Sequence, residues 1–451
     1  MKRKFLPLFL FLILLSCNPV FAQNKFDVNG TQSAKEFFEK EYRSVWDSLT
    51  EEEQFAIACT SNVFERNGQY HLDLSNRLVF DKNTRKGIEV LNENWEIFNY
   101  EQLIENYNEL TEGEQAAAYL ELKDYLNQYP ELTPVEIGTR EDLNITAVSR
   151  MYFVKDKMEV LGFHGLDAWM DSRRISIIRW GIGAGYISEE EGRNLIIPIA
   201  KKLKDDYVSF EDFIAHWIAG YCYNDVYSST CPECAEKLIK AIDTARAYIP
   251  FEELKFTGKN ADKEHILTIE EAVYTPSAEA ARMIPLQKLY KRYRTEEASK
   301  DMYTELLEIE KDYPEISDLT VIVHFILMIK YDTIYNRIEY IESKLAYLRT
   351  LNPKAETFYY LSDSYLSDLI KTYQTQKVLD YYNSLPQQLQ TDEDLYYGYG
   401  YAYLLMSNIC STVLERNIYI SKARTVFLRL KNNGYNLGEF INSWLKSTES
   451  L

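Results

Sequence analysis

The feature of this sequence that most constrains its fold is a recurrent helix-start pattern, in which Ser or Thr is followed three residues later by Asp or Glu. In such a capping box the hydroxyl accepts the amide hydrogen of the acidic residue, and the carboxylate reaches back to the amide at the helix start. The pattern occurs at Thr50/Glu53, Thr111/Glu114, Thr139/Asp142, Ser188/Glu191 and Ser209/Asp212. Five such starts predict an all-α protein.

Apolar spacing supports the same fold class. Steps of three and four residues after Ser209 put six apolar side chains on one face of a helix, namely Phe210, Phe213, Ile214, Trp217, Ile218 and Tyr221. Strict alternation flanked by glycine turns is scarce, and the β-prone pieces are residues 265–268 and 321–329. Because the second piece has helical flanks, we expect it to be a buried helix.

The N-terminus has the composition of a secretory signal. Basic residues at positions 2–4 precede an apolar run at 5–15, and a short polar stretch follows. That order is typical of a signal peptide. The run is too short to cross a bilayer as a helix, which needs about 20 apolar residues, and no later segment reaches that length. We therefore predict an exported protein of the periplasm or envelope without a transmembrane helix.

Two processing sites are consistent with this signal. The residues up to Ala22 fit ordinary signal peptidase, whereas the residues up to Cys17 resemble a bacterial lipobox with Cys17 as the lipid acceptor. We favour cleavage after Ala22, which makes residues 1–22 the signal peptide, because Pro19 breaks the apolar helix before the cut. Acylation of Cys17 would instead anchor the same folded protein to a membrane.

Charge and length limit the partners and the number of domains. The chain has 50 Lys and Arg against 69 Asp and Glu, a net charge of −19, and loss of the three basic residues of the signal changes it to −22. Such a chain repels polyphosphate, so nucleic acid is not expected as a partner. The 429 residues left after cleavage are long for one core and predict two domains or a domain plus a repeat array.

Two stretches of the first half resemble a known family. The first is residues 55–71, an apolar helix followed by an Asn-Gly turn. The second contains Ala168-Trp-Met-Asp171, Arg174, Arg179-Trp-Gly181, Gly185-Tyr-Ile-Ser-Glu-Glu-Glu191, Ser209-Phe-Glu-Asp-Phe213 and Gly220. These motifs are similar to those of the bacterial family catalogued as domain of unknown function 1266. The resemblance implies a helical module and carries no activity with it.

Charged residues in the second stretch are the candidate site. Asp171 continues an apolar helical stripe of Ile175, Ile178 and Ile182, so its carboxylate needs a partner, and Arg174 is one turn away. One interpretation is an anionic-ligand or acid/base site of Asp171, Arg174 and Arg179, with Trp180 and Tyr186 as further binding candidates. The favoured one is a buried ion pair that fixes how two helices meet. The glycines at 181, 183 and 185 are expected to stop the helix.

Cysteines give the second candidate constellation. Six are present, at positions 17, 59, 222, 231, 234 and 410. Outside the cytoplasm Cys222, Cys231 and Cys234 are the natural candidates for a disulfide. A metal site with His216 and Cys222 as third and fourth ligands is one alternative, but its spacing fits no known pattern. A redox role for Cys231-Pro-Glu-Cys234 is another, but it would need a βαβ setting, which this sequence lacks. We expect a structural disulfide or inert thiols, and no cofactor.

The predicted domain order is a helical domain at 23–250, a linker at 251–282 and a helical array at 283–451. Glycine, proline and polar residues interrupt helical periodicity in the linker. Beyond it Pro314, Pro353 and Pro386 recur after 39 and 33 residues, a spacing that resembles tetratricopeptide-type helical hairpins with their repeat of about 34 residues. A non-repetitive helical bundle is the alternative.

The sequence predicts a function class rather than a reaction. We expect an exported envelope protein that is not an enzyme and binds a protein or peptide partner through its C-terminal array, as a binding or scaffold protein. The alternative is an enzyme with a site around Asp171, Arg174 and Arg179. These hypotheses differ in where the functional surface lies, on the array or on the first domain.

Overall fold

The structure, a computed structural model, describes residues 36, 39–40, 43–66, 74, 80–112, 114–224, 232–246, 249–351 and 356–449. The predicted signal peptide, both processing sites and Cys231 lie outside these residues. Within them every regular element is a helix, so the all-α prediction is confirmed. No helix in the described ranges combines the length and the apolar character that a membrane crossing requires.

The chain forms two compact units whose boundaries differ from the predicted domain order. The first contains the described residues up to Pro130 together with Ser149–Ala281, and the second contains Glu131–Val148 and Arg282–Leu451. The second unit thus includes a segment from inside the predicted first domain. Residues 251–281, predicted to be most of a linker, are part of the first unit.

Specific contacts explain why residues 251–281 are not a free linker. The Thr257 amide donates a hydrogen bond to the Lys204 carbonyl oxygen at 3.0 Å. The ring of Phe256 meets the ring of Phe55 edge-on, with 4.7 Å between centroids. Glycine and proline do interrupt the helices here, but an interrupted helix can still be packed against its neighbours.

Thirteen α-helices are described up to residue 281. In chain order they are α1 Arg43–Ser48, α2 Glu51–Arg66, α3 Phe80–Trp95, α4 Tyr100–Glu112, α5 Glu114–Gln128, α6 Pro134–Arg140, α7 Ile145–Leu161, α8 Asp167–Ala184, α9 Glu189–Asp206, α10 Phe210–Asn224, α11 Pro232–Arg246, α12 Ile269–Ala272 and α13 Ala278–Ala281. Helix α6 and the first residues of α7 belong to the second unit.

Helix α8 is the centre of the first unit. It contacts α2, α3, α4, α9 and α10, and 14 of its 18 residues are buried. Its predicted apolar stripe of Ile175, Ile178 and Ile182 is fully buried. The buried polar side chains of α8 must therefore find partners inside the unit, because an unpaired buried polar group is costly.

Three of the predicted helix starts are present. The Thr50 amide donates to Glu53 Oε2 at 2.8 Å and the Glu53 amide donates to Thr50 Oγ1 at 3.3 Å, which completes a capping box. Ser188 and Ser209 accept the amide hydrogens of the residues three places on, at 3.2 and 3.1 Å. The side chains of Thr111 and Glu114 lie outside the described set.

The predicted start at Thr139 is wrong. Thr139 lies in the last turn of α6 and its hydroxyl donates to the Val135 carbonyl oxygen. The helix begins six residues earlier, where Thr133 and Glu136 form a complete capping box. Pro134 occupies the first helical position, where its fixed φ favours a start and its missing N–H costs nothing. Of the two neighbouring start signals, the one at Thr133, which precedes a proline, begins a helix, and the one at Thr139 does not.

The second unit is also helical. After residue 281 the helices are α14 Met283–Thr295, α15 Lys300–Asp312, α16 Val321–Tyr331, α17 Ile334–Leu351, α18 Glu356–Lys371, α19 Thr375–Ser384, α20 Glu393–Ile409, α21 Val413–Asn432 and α22 Gly438–Ser447. Residues 321–329 are helical, as predicted, and Phe325 and Leu327 in this stretch are buried. Short 3₁₀ turns at Pro314–Asp318 and Leu389–Thr391 lie between helices.

Helices α14 to α22 pack in chain order. Each contacts the next one, and α16 and α18 also contact α18 and α20, respectively. This order is expected of stacked helical hairpins, in which each element touches only its near neighbours in sequence. The core between them includes Phe358, Leu366, Leu395 and Phe427.

Candidate functional site

Four charged side chains of α8 and α9 converge in the first unit, and we refer to them as the Lys202 cluster. The Lys202 ammonium lies 2.7 Å from Asp167 Oδ2, 3.0 Å from Asp171 Oδ2 and 3.0 Å from Asp206 Oδ2. Asp167 and Asp171 are one turn apart on α8, and Lys202 and Asp206 are one turn apart on α9, so two packed helices bring all four groups together.

Asp171 is the buried member of the cluster that the sequence singles out. Its side chain is 8% exposed, and its Oδ1 accepts a hydrogen bond from Arg174 Nη1 at 3.0 Å. Arg174 also donates to the Tyr107 hydroxyl of α4 at 3.1 Å. Burial raises the pKa of Asp171, and the positive charges of Lys202 and Arg174 oppose that rise. The Asp171–Arg174 pair is therefore present, and it joins three helices.

Arg179 does not take part in this arrangement. Eight residues of helix separate it from Asp171, a rise of about 12 Å. Its buried guanidinium hydrogen-bonds to the Thr60 hydroxyl of α2, and its Nε donates to the Leu74 carbonyl oxygen at 3.4 Å. The same group lies 4.2 Å from the centre of the Phe64 ring. The predicted trio of Asp171, Arg174 and Arg179 is thus divided between two places along α8.

The remaining binding candidates also lie apart from the Lys202 cluster. Trp180 is buried and its ring stacks on Phe64 with 5.1 Å between centroids. Tyr186 is half-buried and its hydroxyl donates to Asn92 Oδ1 of α3 at 3.3 Å. Both residues pack helices together, so they contribute to the core rather than to a common site.

The glycine-rich end of α8 is a helix stop, as predicted. Gly185 has a φ of +78°, a left-handed conformation in which glycine carries no side-chain penalty. Its amide donates to the Ile182 carbonyl oxygen and the Tyr186 amide donates to that of Gly181. These two bonds define a Schellman motif. The segment therefore ends a helix and does not cradle a phosphate.

The predicted cysteine site is described only in part. Cys222 is buried near the end of α10, whereas Cys231 and the side chain of Cys234 lie outside the described residues. His216, the other proposed ligand, is buried one helical turn after Asp212, whose carbonyl oxygen lies 3.0 Å from its Nδ1. The disulfide, metal and redox alternatives for the three cysteines stay predictions.

The sequence analysis did not single out five residues that the structure brings to this region: His164, Asp167, Lys202, Asp206 and Tyr207. Ligand atoms of His164, Asp167 and Asp206 lie within 4.8 Å of one another, a convergence that singles them out among the described His, Cys, Asp and Glu side chains. The spacing of Asp167 with Asp171, and of Lys202 with Asp206, was a signal that could have marked the two facing helices.

Comparison with known proteins finds a family match for one region of the chain. Residues 90–247, about a third of the sequence, match the family model described as protein of unknown function (DUF1266). The predicted DUF1266 resemblance is confirmed for this region. It includes α8, α9 and α10, and therefore the whole Lys202 cluster, whereas residues 55–71 precede it. No curated protein and no solved structure matches the chain, and the tetratricopeptide resemblance of the C-terminal half stays a prediction.

Proposed function

We propose that the protein is an exported envelope protein that is not an enzyme and binds a protein partner through its C-terminal helical array, as a binding or scaffold protein. The observation that carries this proposal is an exposed aliphatic surface at one end of the α20–α21 hairpin. We call it the aliphatic tip, and it consists of Ile409, Val413, Leu414 and Ile418.

The four aliphatic side chains of the tip are all exposed. The exposed fractions are 63% for Ile409, 75% for Val413, 73% for Leu414 and 46% for Ile418. All residues from 411 to 418 are exposed, although α21 begins at Val413 and Thr412 caps it. Contiguous exposed apolar residues commonly mark a protein interaction site.

The hairpin behind the tip is closely packed, which supports its use as a rigid binding element. Gly400 of α20 faces α21 so closely that a Cβ atom there would lie 2.6 Å from Val426 Cγ1. Phe427 and Leu430 of α21 are buried against this interface. The C-terminal part of α21 therefore packs closely on α20, and the first turn and a half of α21 has exposed aliphatic side chains.

The tyrosines of α20 pack against neighbouring side chains of the array rather than line an open groove. Tyr396, Tyr397, Tyr399 and Tyr401 are half-buried and Tyr403 is buried. The rings of Tyr382 and Tyr399 stack with 4.1 Å between centroids. We expected some of these tyrosines to be buried against neighbours and others to line a groove, and their ring contacts favour the first role.

A photocrosslinking experiment tests the proposed binding surface. A benzoyl-phenylalanine replaces Leu414 in one strain of the native host and Tyr373 in a control strain. Tyr373 is 72% exposed in the same unit but lies outside the tip. We expect an ultraviolet-dependent adduct with one discrete partner at position 414 and none at 373. Equal labelling at the two positions, or no adduct at 414, would refute the proposal.

An enzyme with a site around Asp171, Arg174 and Arg179 is the second candidate. The half-open Lys202 cluster favours it, because the side chains of Asp167 and Lys202 are each 43% exposed beside the buried Asp171. The separate partners of Arg179 count against its inclusion. For an open catalytic site, replacing Asp171 should leave stability nearly unchanged, whereas a structural pair should not tolerate it.

A further inference from the structure

The Lys202 cluster has an unbalanced charge. Asp167, Asp171 and Asp206 contribute three negative charges, and Lys202 and Arg174 contribute two positive ones within hydrogen-bonding distance. One negative charge is left over where the side chains of Asp171 and Asp206 are only 8% and 6% exposed. Buried charge of this kind is costly unless a cation neutralises it.

His164 lies beside the cluster, and its Nδ1 atom can accept a bond to a cation. Its Nε2 lies 3.2 Å from the Asn260 carbonyl oxygen. A carbonyl only accepts hydrogen bonds, so Nε2 carries the proton of the neutral ring and Nδ1 presents its lone pair. The Asn260 side chain also donates to Asp206 Oδ1 at 3.2 Å. One residue thus orients two potential ligands, as partners behind metal ligands usually do.

Tyr207 supplies an independent observation. Its side chain has no solvent exposure, and its hydroxyl has no hydrogen-bond partner among the described residues. Its ring lies 5.3 Å from the ring of His164. A buried hydroxyl without a hydrogen-bond partner in the described part of the chain therefore belongs to a ring that lies beside the proposed ligand His164.

We propose that His164, Asp167 and Asp206 bind a divalent first-row transition-metal ion, which replaces the Lys202 ammonium between the carboxylates. One imidazole and two carboxylates are a donor set that suits such ions. Metal–ligand bonds of about 2.0–2.2 Å allow ligand atoms to lie up to about 4.4 Å apart. The ligand atoms of the three residues lie within 4.8 Å of one another, so their side chains need to close toward the ion.

The exchange of Lys202 for a metal ion improves the charge balance. With the lysine turned into solvent, three carboxylates, Arg174 and a divalent ion sum to zero, whereas the lysine leaves one negative charge. The lysine side chain is 43% exposed, as is that of Asp167, so the ion has an entry path and the ammonium has water to move into. The site lies in the first unit and does not depend on the proposed function of the array.

Titration with Mn²⁺, followed by the paramagnetic resonance signal of the free ion, tests the proposal on the purified protein. We expect one bound ion per chain. Asp167→Asn should weaken binding by about 10- to 100-fold, and its exposure makes unfolding no concern. Glu190→Gln, an exposed carboxylate on α9, the helix of Lys202 and Asp206, is the matched control and should bind as the wild type does.

The lysine provides the sharpest discrimination. Because a like charge is removed from the site, Lys202→Gln should tighten Mn²⁺ binding by about tenfold or more. Thermal melts of each variant verify folding. The proposal is overturned if the wild type binds no ion, if Asp167→Asn and Glu190→Gln bind equally, or if Lys202→Gln leaves the affinity unchanged.

Discussion

Replacing Asp171 by Ala tests whether the buried pair holds the first unit together. The change removes a carboxylate that Arg174 and Lys202 both approach to 3.0 Å. Lys202 retains Asp167 and Asp206 and is 43% exposed, so its charge stays solvated and paired. Arg174 is 14% exposed and loses the carboxylate, with the Tyr107 hydroxyl left to it.

The expected magnitude follows from that difference. Removing one partner of a buried ion pair typically costs about 3–5 kcal/mol. Since Arg174 alone is stranded, we expect the lower end, about 3 kcal/mol, which for a unit of this size lowers the melting temperature by roughly 6–12 °C. Replacing both partners, with Asp171→Leu and Arg174→Met, leaves no stranded charge and should recover most of the loss.

Urea unfolding followed by tryptophan fluorescence is the suitable assay. Five of the six tryptophans, at 46, 95, 169, 180 and 217, belong to the first unit, so the signal reports mainly on the unit that contains the pair. Asp167→Ala is the matched control, because it removes a carboxylate from the same lysine at a side chain that is 43% exposed. We expect this control to cost less than about 1 kcal/mol.

Two results would refute the reasoning. A loss below about 0.5 kcal/mol for Asp171→Ala, the range of ordinary surface substitutions, would show that the residue is not a buried structural partner. A double variant no more stable than Asp171→Ala would show that a stranded guanidinium is not the cause of the loss. The second result requires the two single variants as references for the interaction energy.

Three further predictions concern other parts of the chain. Gly185→Ala should lower the free energy of unfolding by about 1–2 kcal/mol in the same assay, because a φ of +78° penalises a side chain. A Cβ atom there would meet nothing within 4 Å, so steric contact is not the cause. An unchanged unfolding midpoint would contradict this prediction. Burial would raise the pKa of Asp212, but hydrogen bonds from His216 and two backbone amides outweigh it and lower the pKa. A lowered folded pKa means that this stabilisation is present above about pH 4 and is lost as the pH falls further, so Asp212→Asn should lose less stability than the wild type between about pH 4 and 2. Mass spectrometry of the protein from a Gram-negative host should find Gln23 at the N-terminus, or a lipid-modified Cys17 for the lipoprotein, and an intact Met1 in the cytoplasm would contradict export.

Local signals in the sequence predicted the fold class and the pair. The capping patterns at Thr50, Ser188 and Ser209 depend on neighbours three residues away, which helix geometry fixes. Asp171 and Arg174 are likewise one turn apart, so their contact requires only that α8 be a helix. The prediction at Thr139 failed because a second start signal nearby, at Thr133, has a proline at the first helical position.

Contacts between distant segments could not be predicted in this way. Arg179 binds Thr60, which is 119 residues away, and Lys202 binds Asp167, which is 35 residues away. Both contacts depend on which helices pack against α8 and at what rotation, and no spacing within one helix carries that information. The sequence therefore predicted one member of the Lys202 cluster and missed the lysine at its centre.

The division of the chain into units has a consequence for the order of events during synthesis. Helix α6 is made before most of the first unit, yet its buried Val135 and Ile137 belong with helices that emerge more than 130 residues later. Residues 149–281 must therefore be synthesised before the short apolar segment of α6 can pack against the other helices of its unit. A truncation that begins near residue 282 would likewise separate α6 from its own unit. Expression of the C-terminal half alone would therefore have to include residues 131–148 as well.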